Sequence, residues 1–206
     1  GDLQEGVASE AASLAGHLQL GKLIYLYDDN HISIDGPTSL SYSDDVQRRF
    51  EAYHWHVQRV DAYDMPSIDA AIEAAQLVSD RPSLIICRSH IGYGSPNKQD
   101  SASAHGAPLG ADEVRLTKQA LGMPADEQFW IPDDVLALYR AALTEGAACQ
   151  SGWIALRQGY AAAHPDLAAT FSSALDGVLP EGWDEAMPAW EPGDKLATRA
   201  ASGKVL

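Results

Sequence analysis

A short polar segment, Asp28-Asp29-Asn30, follows the apolar run Lys-Leu-Ile-Tyr-Leu-Tyr at 22–27 and carries residue types suited to metal chemistry. Taken alone, such a triplet is typical of a turn that closes a strand. Asn30 also comes 29 positions after Gly1, which opens a glycine turn and an acidic helix start. This spacing favours a second interpretation, in which Gly1 and Asn30 face the same ligand.

A bound diphosphate would account for these residue types. It needs a hard divalent cation, and Mg²⁺ takes oxygen ligands, of which usually one or two come from protein side chains. Asn30 offers a side-chain carbonyl, and a main-chain carbonyl two residues further on can complete one face of the ion. Gly1 would let the backbone approach phosphate without a Cβ in the way.

A second candidate is the segment 91–110, which is rich in glycine, contains two prolines and His105, and has no apolar period. A loop of this length inside a compact domain is more often functional than a simple connection. A single loop histidine is ordinarily solvated or structural, so the loop context alone leaves the role of His105 open.

The elements that must position these residues alternate between strand and helix. Apolar runs predict strands at 22–27, 55–60 and 83–87. Apolar periodicity together with helix start and stop residues predicts helices at 5–20, 44–53 and 68–79. This order indicates an α/β fold with a parallel sheet covered by helices, in which ligands gather at the carboxyl ends of the strands. Further helices are predicted at 112–121, 133–144, 150–163 and 166–175, followed by an extended linker.

Composition narrows the class of protein. With 14 Lys+Arg and 29 Asp+Glu, the 206-residue chain has a formal net charge of −15, which disfavours binding to nucleic acid or to an anionic membrane surface. Two cysteines, Cys87 and Cys149, cannot build a disulfide scaffold, and no apolar run approaches the roughly 20 residues of a membrane span. We expect a cytoplasmic globular protein.

Several sequence blocks, in this order, resemble the transketolase family. They are Asp-Leu-Gln-Glu-Gly-Val-Ala-Ser-Glu-Ala at 2–11, Ser-Leu-Ala-Gly-His-Leu at 13–18, Tyr-Asp-Asp-Asn-His-Ile-Ser-Ile-Asp-Gly at 27–36, Ile-Gly-Tyr-Gly-Ser-Pro-Asn at 91–97 and His-Gly-Ala-Pro-Leu-Gly at 105–110. The resemblance covers essentially the whole chain. It implies the Rossmann-like fold that binds thiamine diphosphate in this family.

The resemblance also implies site residues. Gly1 matches the last glycine of the family's Gly-Asp-Gly motif, so the metal-binding aspartate would lie upstream and Asp2 is not assigned to the metal. The implied metal ligands are the Asn30 side chain and the Ile32 main-chain carbonyl. The implied roles are cofactor binding for Gly1, Asn30, Ile91 and His105, catalysis and substrate binding for His105, and a dimer interface for Glu5 and Glu10.

The activity that the resemblance implies is transfer of a two-carbon ketol unit from a ketose phosphate to an aldose phosphate, in the pentose phosphate pathway. The cofactors would be thiamine diphosphate and Mg²⁺, with Ca²⁺ left open as a substitute. Sugar phosphates would be the substrates, and the enzyme would be a homodimer formed through further domains.

The resemblance further implies a division of the chain. Residues 1–178 would be the C-terminal part of the diphosphate-binding domain, and 179–206 a linker toward a pyrimidine-binding domain beyond this sequence. We therefore expect a piece of a longer enzyme that is inactive alone. A stand-alone subunit of a split enzyme is disfavoured because the last segment resembles a connector.

Two other functions stay open from the sequence. Dihydroxyacetone synthase, or another ketol-transferring enzyme on the same scaffold, would share nearly every block. A non-enzymatic nucleotide-binding module belongs to a different class. It predicts Gly-x-Gly-x-x-Gly directly after a strand, a pattern that the sequence lacks.

Overall fold

The computed structural model describes residues 1–206, which form two compact units, Gly1–Trp130 and Ile131–Leu206. The first unit contains α1 (Gly6–His17), β1 (Ile24–Asp29), β2 (Ile32–Ser33), β3 (Gly36–Pro37), α2 (Val46–Ala52), β4 (His56–Asp61), α3 (Met65–Leu77), β5 (Ser83–Arg88) and α4 (Ala111–Ala120). The predicted alternation of helices and strands is confirmed for α1, β1, α2, β4, α3, β5 and α4, whereas β2 and β3 are additional.

A three-stranded parallel sheet lies at the centre of the first unit, in the order β1-β5-β4. Ile24 and His56 are both in register with Ser83, and Asp29 and Asp61 with Arg88. The carboxyl ends of all three strands therefore meet at one edge. The predicted α/β fold, a parallel sheet covered by helices, is confirmed.

The central strand β5 separates two hydrophobic clusters. Leu84 and Ile86 pack with α1, α2 and Trp55 on one face, whereas Ile85 and Cys87 pack with α3 and Val60 on the other. Successive side chains of a strand point to opposite faces, so an uninterrupted apolar run is what a strand covered on both sides requires. This is why β5 was predictable.

Helix α1 packs closely against the segment after α2. The Trp55 indole donates to the Ala12 carbonyl at 2.8 Å, and the Phe50 and Trp55 rings meet edge to face with centroids 5.2 Å apart. At Gly16 a Cβ would lie 1.7 Å from the Tyr53 carbonyl oxygen, so only glycine fits there. Small residues thus set the distance between α1 and its neighbours.

Aspartates cap both α2 and α3. Asp45 caps α2 by accepting from the Arg48 N–H at 3.1 Å. Asp64 caps α3 by accepting from the Ser67 N–H at 3.3 Å. An aspartate three residues ahead of a free N–H satisfies the same unpaired donor in both helices.

The second unit is helical. It contains α5 (Asp133–Ala163), α6 (Pro165–Leu175) and α7 (Thr198–Val205). Trp153 and Phe171 join α5 to α6 with ring centroids 6.3 Å apart. The two helices predicted at 133–144 and 150–163 are one continuous helix, and α7 lies within the segment expected to be an extended linker. None of the helices is both long and apolar enough to cross a membrane.

Candidate functional site

A cleft of about 1140 Å³ in the first unit lies between the start of α1, the carboxyl end of β1 and the segment that follows it. Gly1, Asn30, Ile32 and His105 all line it, although His105 is 75 positions from Asn30 in sequence. The fold thus brings together four of the seven predicted site residues. This edge is where parallel sheets bind ligands.

The Asn30 side chain is held in one orientation by two hydrogen bonds. Its Oδ1 accepts from the Ile32 N–H at 2.9 Å, and its Nδ2 donates to Asp28 Oδ2 at 3.2 Å. Asp28 in turn accepts from the Ser89 hydroxyl, which follows β5. An amide oxygen has two lone pairs, so Oδ1 keeps acceptor capacity toward the cleft.

The antiparallel pair β2–β3 fixes the main chain at Ile32, which pairs with Pro37. The Ser33 hydroxyl donates to the Gly36 carbonyl at 2.9 Å, and the Thr38 N–H donates to the His31 carbonyl at 2.9 Å. His31 has a φ of 62°, which turns the chain sharply after Asn30. Two-residue strands are too short for a sequence pattern, so this hairpin was not predicted.

The residues at this turn suit a magnesium ion that is bound together with a diphosphate. They offer an amide oxygen and a main-chain carbonyl, both hard oxygen ligands. The structure contains no group of three or more His, Cys, Asp or Glu able to hold a metal. With only an amide oxygen and a main-chain carbonyl from this turn as ligands, Mg²⁺ would keep coordination positions for phosphate oxygens and water, as it requires.

Gly1 precedes a short 3-10 helix, Asp2–Gln4, that leads into α1. No atom lies within 4 Å of the position that a Cβ on Gly1 would take, so the backbone there faces open space in the cleft. Neither the 3-10 helix nor α1 has a side-chain cap. This leaves N–H donors available at the cleft.

The loop that carries His105 is held at its base by Tyr63, which follows β4. The Tyr63 hydroxyl accepts from the His90 N–H at 2.9 Å, and the Tyr63 ring stacks on Tyr93 with centroids 3.9 Å apart. His90 Nδ1 lies 2.9 Å from both carboxylate oxygens of Asp100. These contacts form one cluster of four residues, Tyr63, His90, Tyr93 and Asp100. Its last member, Asp100, is five positions before His105 in sequence.

Glu113 of α4 anchors the same loop by hydrogen bonds to Ser95 and Asn97. Its buried carboxylate accepts from the Ser95 hydroxyl, from the Asn97 N–H at 2.9 Å and from Asn97 Nδ2 at 2.9 Å. Hydrogen bonds from Ser95 and then Asn97 lower the pKa of Glu113. Sequence reasoning missed this residue; the usable signal was an acidic side chain in the first turn of a helix directly after a glycine-rich loop.

The remaining predicted residues lie outside the lining of the cleft. Ile91 is partly buried, and its carbonyl accepts from the Asp100 N–H at 3.0 Å. Glu5, which directly precedes α1, and Glu10, on α1, are both exposed. Glu5 borders a second cavity of about 520 Å³. The cofactor contact of Ile91 and the interface roles of the two glutamates remain predictions.

Tyr27 is a lining residue that sequence reasoning did not single out. Burial, followed by the nearby charge of Asp29, raises its pKa to about 12. The phenol is therefore neutral at physiological pH. It can donate a hydrogen bond but cannot serve as a base.

Comparison with known proteins gives a consistent result. The family description "Transketolase, thiamine diphosphate binding domain" matches residues 1–180. Curated transketolases from Geobacillus stearothermophilus and Nostoc sp. are 49% and 51% identical, over 100% and 98% of this chain. The chain spans only 31% and 30% of those proteins.

Solved structures agree with the sequence relatives. A Pichia stipitis transketolase in complex with sedoheptulose-7-phosphate superposes with a TM-score of 0.82 and 42% identity over 98% of this chain and 31% of that one. The Campylobacter jejuni transketolase gives a TM-score of 0.80 and 32% identity over 100% of this chain and 31% of that one. On this agreement in sequence and fold, the chain belongs to the transketolase family, and residues 1–180 match its thiamine diphosphate binding domain.

Proposed function

We propose that the intact protein containing this sequence is a transketolase, which transfers a two-carbon ketol unit from a ketose phosphate to an aldose phosphate in the pentose phosphate pathway. The observation that carries the proposal is the cleft, which brings Gly1, Asn30, Ile32 and His105 together in a chain of this family. The substrates are inferred from relatives, one of which was solved with sedoheptulose-7-phosphate.

Asn30 and Ile32 would hold Mg²⁺ through the side-chain amide oxygen and the main-chain carbonyl. The hydrogen bond from the Ile32 N–H to Asn30 Oδ1 joins the two residues in one turn, which supports the proposal that both serve a single ion. Gly1 contributes a backbone surface free of any Cβ, against which the diphosphate can lie. Ca²⁺ accepts the same oxygen ligands and would be a functional substitute.

Thiamine diphosphate, when bound, supplies an electron sink for breaking and forming a carbon–carbon bond. The contribution of this chain is to bind, orient and move protons. His105 is exposed at the cleft and is proposed to donate a hydrogen bond or a proton to a substrate oxygen, since an imidazole ring nitrogen can carry a proton and donate it. We propose that Ile91 packs against the cofactor where its loop leaves β5.

We also propose that the enzyme is a homodimer with Glu5 and Glu10 near the interface, supported by the exposure of both side chains. Both cysteines are free thiols, in keeping with a reducing compartment such as the cytoplasm. Residues 1–178 are proposed to contribute the diphosphate-binding part of the enzyme. Residues 179–206 would lead to a pyrimidine-binding part.

The test is a transfer assay with the intact protein, thiamine diphosphate and Mg²⁺. Xylulose 5-phosphate as donor and ribose 5-phosphate as acceptor should give sedoheptulose 7-phosphate, and omitting either cofactor should abolish the product. Formaldehyde as acceptor separates the alternative, because a dihydroxyacetone synthase would form dihydroxyacetone faster than the seven-carbon sugar. Absence of any cofactor-dependent product would contradict the proposal.

A further inference from the structure

Two neighbouring arginines on α2 have opposite environments. The Arg48 side chain is 85% exposed and pairs only with Asp45, whereas the Arg49 side chain is 15% exposed. Arg49 borders the second cavity, of about 520 Å³, which is distinct from the cleft described above. A guanidinium is stable in such a position only when its donors are paired.

Arg49 hydrogen-bonds the segment that leads into α1. Its Nη1 donates to the Leu3 carbonyl at 2.8 Å, and its Nη2 donates to the Ser9 hydroxyl. These partners are 46 and 40 positions away in sequence. The side chain therefore ties α2 to both the 3-10 helix at Asp2–Gln4 and the first turns of α1.

Arg49 also contacts three further side chains, two of them through Nη1. Nη1 lies 3.1 Å from the Tyr42 hydroxyl and 3.2 Å from Asp44 Oδ2, and Nε donates to the Tyr53 hydroxyl at 3.4 Å. The same hydrogen bond lowers the pKa of Tyr53. Because a planar guanidinium presents five donors in fixed directions, this set of partners defines one geometry, which lysine cannot reproduce.

The segment that Arg49 holds is also a wall of the cleft. Leu3, Gln4 and Ser41 line both the cleft and the Arg49 cavity. Gln4 Nε2 donates to the Ser41 hydroxyl at 3.1 Å, which closes this wall. Since neither the 3-10 helix nor α1 has a side-chain cap, tertiary contacts from behind are what hold the turn in place.

We infer that Arg49 is a positioning residue, which holds the turn Gly1–Gln4 in the conformation that binds diphosphate without itself touching the cofactor. This inference rests on the proposed function for its ligand. Its structural part concerns the order of the turn, which can be measured without any cofactor. Loss of Arg49 should loosen the turn and weaken cofactor binding while leaving the sheet intact.

The experiment compares Arg49→Met, Arg49→Lys and Arg48→Met in the intact protein. Hydrogen exchange of the cofactor-free variants should be at least about tenfold faster at Gln4 and Glu5 in both Arg49 variants, because a hydrogen bond to a charged group is lost. Exchange in β5 should stay unchanged. Arg48→Met should resemble the wild type throughout.

Kinetics separate positioning from general stability. The concentration of thiamine diphosphate for half-maximal activity should rise about tenfold or more in Arg49→Met, with kcat at saturating cofactor within about threefold of the wild type. Unchanged exchange at the turn, or an unchanged cofactor requirement, would overturn the inference. A fall in kcat alone would also overturn it.

If Arg49→Met also speeds exchange in β5, Ser9→Ala and Tyr42→Phe provide milder tests, since each removes a single partner. Both should accelerate exchange at the turn, and no change in either variant would overturn the inference. Failure of the wild-type protein to bind thiamine diphosphate would contradict the proposed function instead. The exchange data would then decide the structural role of Arg49 alone.

Discussion

Asn30 is the residue on which the proposed metal site depends most directly. Replacing it with alanine removes one of the proposed protein ligands, so we expect the affinity for thiamine diphosphate in the presence of Mg²⁺ to fall by about 10–100-fold. Titration calorimetry with the intact protein measures this. Ser39→Ala, an exposed change in the same loop, is the control and should bind as the wild type does. Equal affinity in Asn30→Ala would remove the metal assignment.

His105 is exposed, so its substitution should affect turnover and not folding. We expect His105→Ala to lower kcat by about 10²–10⁴-fold, the usual value of positioned acid–base help, with a stability change within about 0.5 kcal/mol. Steady-state kinetics and thermal unfolding measure the two effects. His17→Ala, an exposed histidine at the end of α1, should change neither. A near-normal kcat in His105→Ala would contradict the proposed role.

Individual residues differ in how far they could be predicted. Asn30, Ile32 and His105 were predicted as site residues because family blocks surround them, and the fold places all three at one cleft. Arg49 and Glu113 were missed because their roles come from partners 46 and 18 positions away. Local sequence does not identify the partners in such pairings, which meet only when distant segments pack.

At the scale of elements, the contact of α1 with the segment after α2 makes a sharp prediction. Gly16→Ala would place a Cβ 1.7 Å from the Tyr53 carbonyl oxygen, so we expect a loss of about 1–3 kcal/mol in unfolding free energy. Gly6→Ala, in the same helix but with no atom within 4 Å of the new Cβ, should cost nothing. Denaturant unfolding compares them, and equal stabilities would contradict the packing described here.

The anchoring of the His105 loop on α4 should depend on pH. Hydrogen bonds lower the pKa of Glu113 below its ordinary value of 4.5, so the ionised carboxylate stabilises the loop fully above pH 4.5. That contribution is lost as the pH falls through the lowered pKa. Glu113→Gln should lose the pH-dependent part while Glu127→Gln, an exposed control, keeps it.

Hydrogen exchange of residues 91–104 between pH 3 and pH 6 measures this effect. In the wild type the loop should open as the pH falls below 4.5, whereas in Glu113→Gln it should be equally open across the range. A loop whose protection in the wild type does not change with pH would contradict the anchoring role of Glu113.

The boundaries of helices and strands were predicted accurately only where the apolar pattern of the sequence was strong. The run Ser83–Cys87 predicted β5 almost to its last residue because both faces of that strand are buried. The interruption expected between 144 and 150 does not exist, since isolated glycines such as Gly146 cost only about 1 kcal/mol in a helix without proline. Periodicity alone therefore divided one long helix into two.

At the scale of the whole molecule, the two units differ in how much core they have. The sheet unit buries both faces of β5, whereas α5 has no buried residue and exposes Leu138 and Leu143 by 72% and 74%. The net charge of −15 favours solubility and disfavours polyanionic partners. The net charge and, in part, the presence of a core could be predicted from the composition. The exposure of α5 could not.

We expect residues 1–206 alone to catalyse no ketol transfer, whereas the intact protein does. The reason is that the chain spans only about 31% of the length of related transketolases. The transfer assay applied to both forms checks this, with soluble, folded material verified by circular dichroism. Measurable cofactor-dependent turnover by residues 1–206 would contradict the expectation.

The most direct test of the central claim is a crystal structure of the intact protein with thiamine diphosphate and Mn²⁺, whose anomalous signal marks the ion. We predict the ion between Asn30 Oδ1, the Ile32 carbonyl oxygen and the diphosphate, with Gly1 against the phosphates. Cofactor and ion bound together at any other place in the molecule would contradict this account.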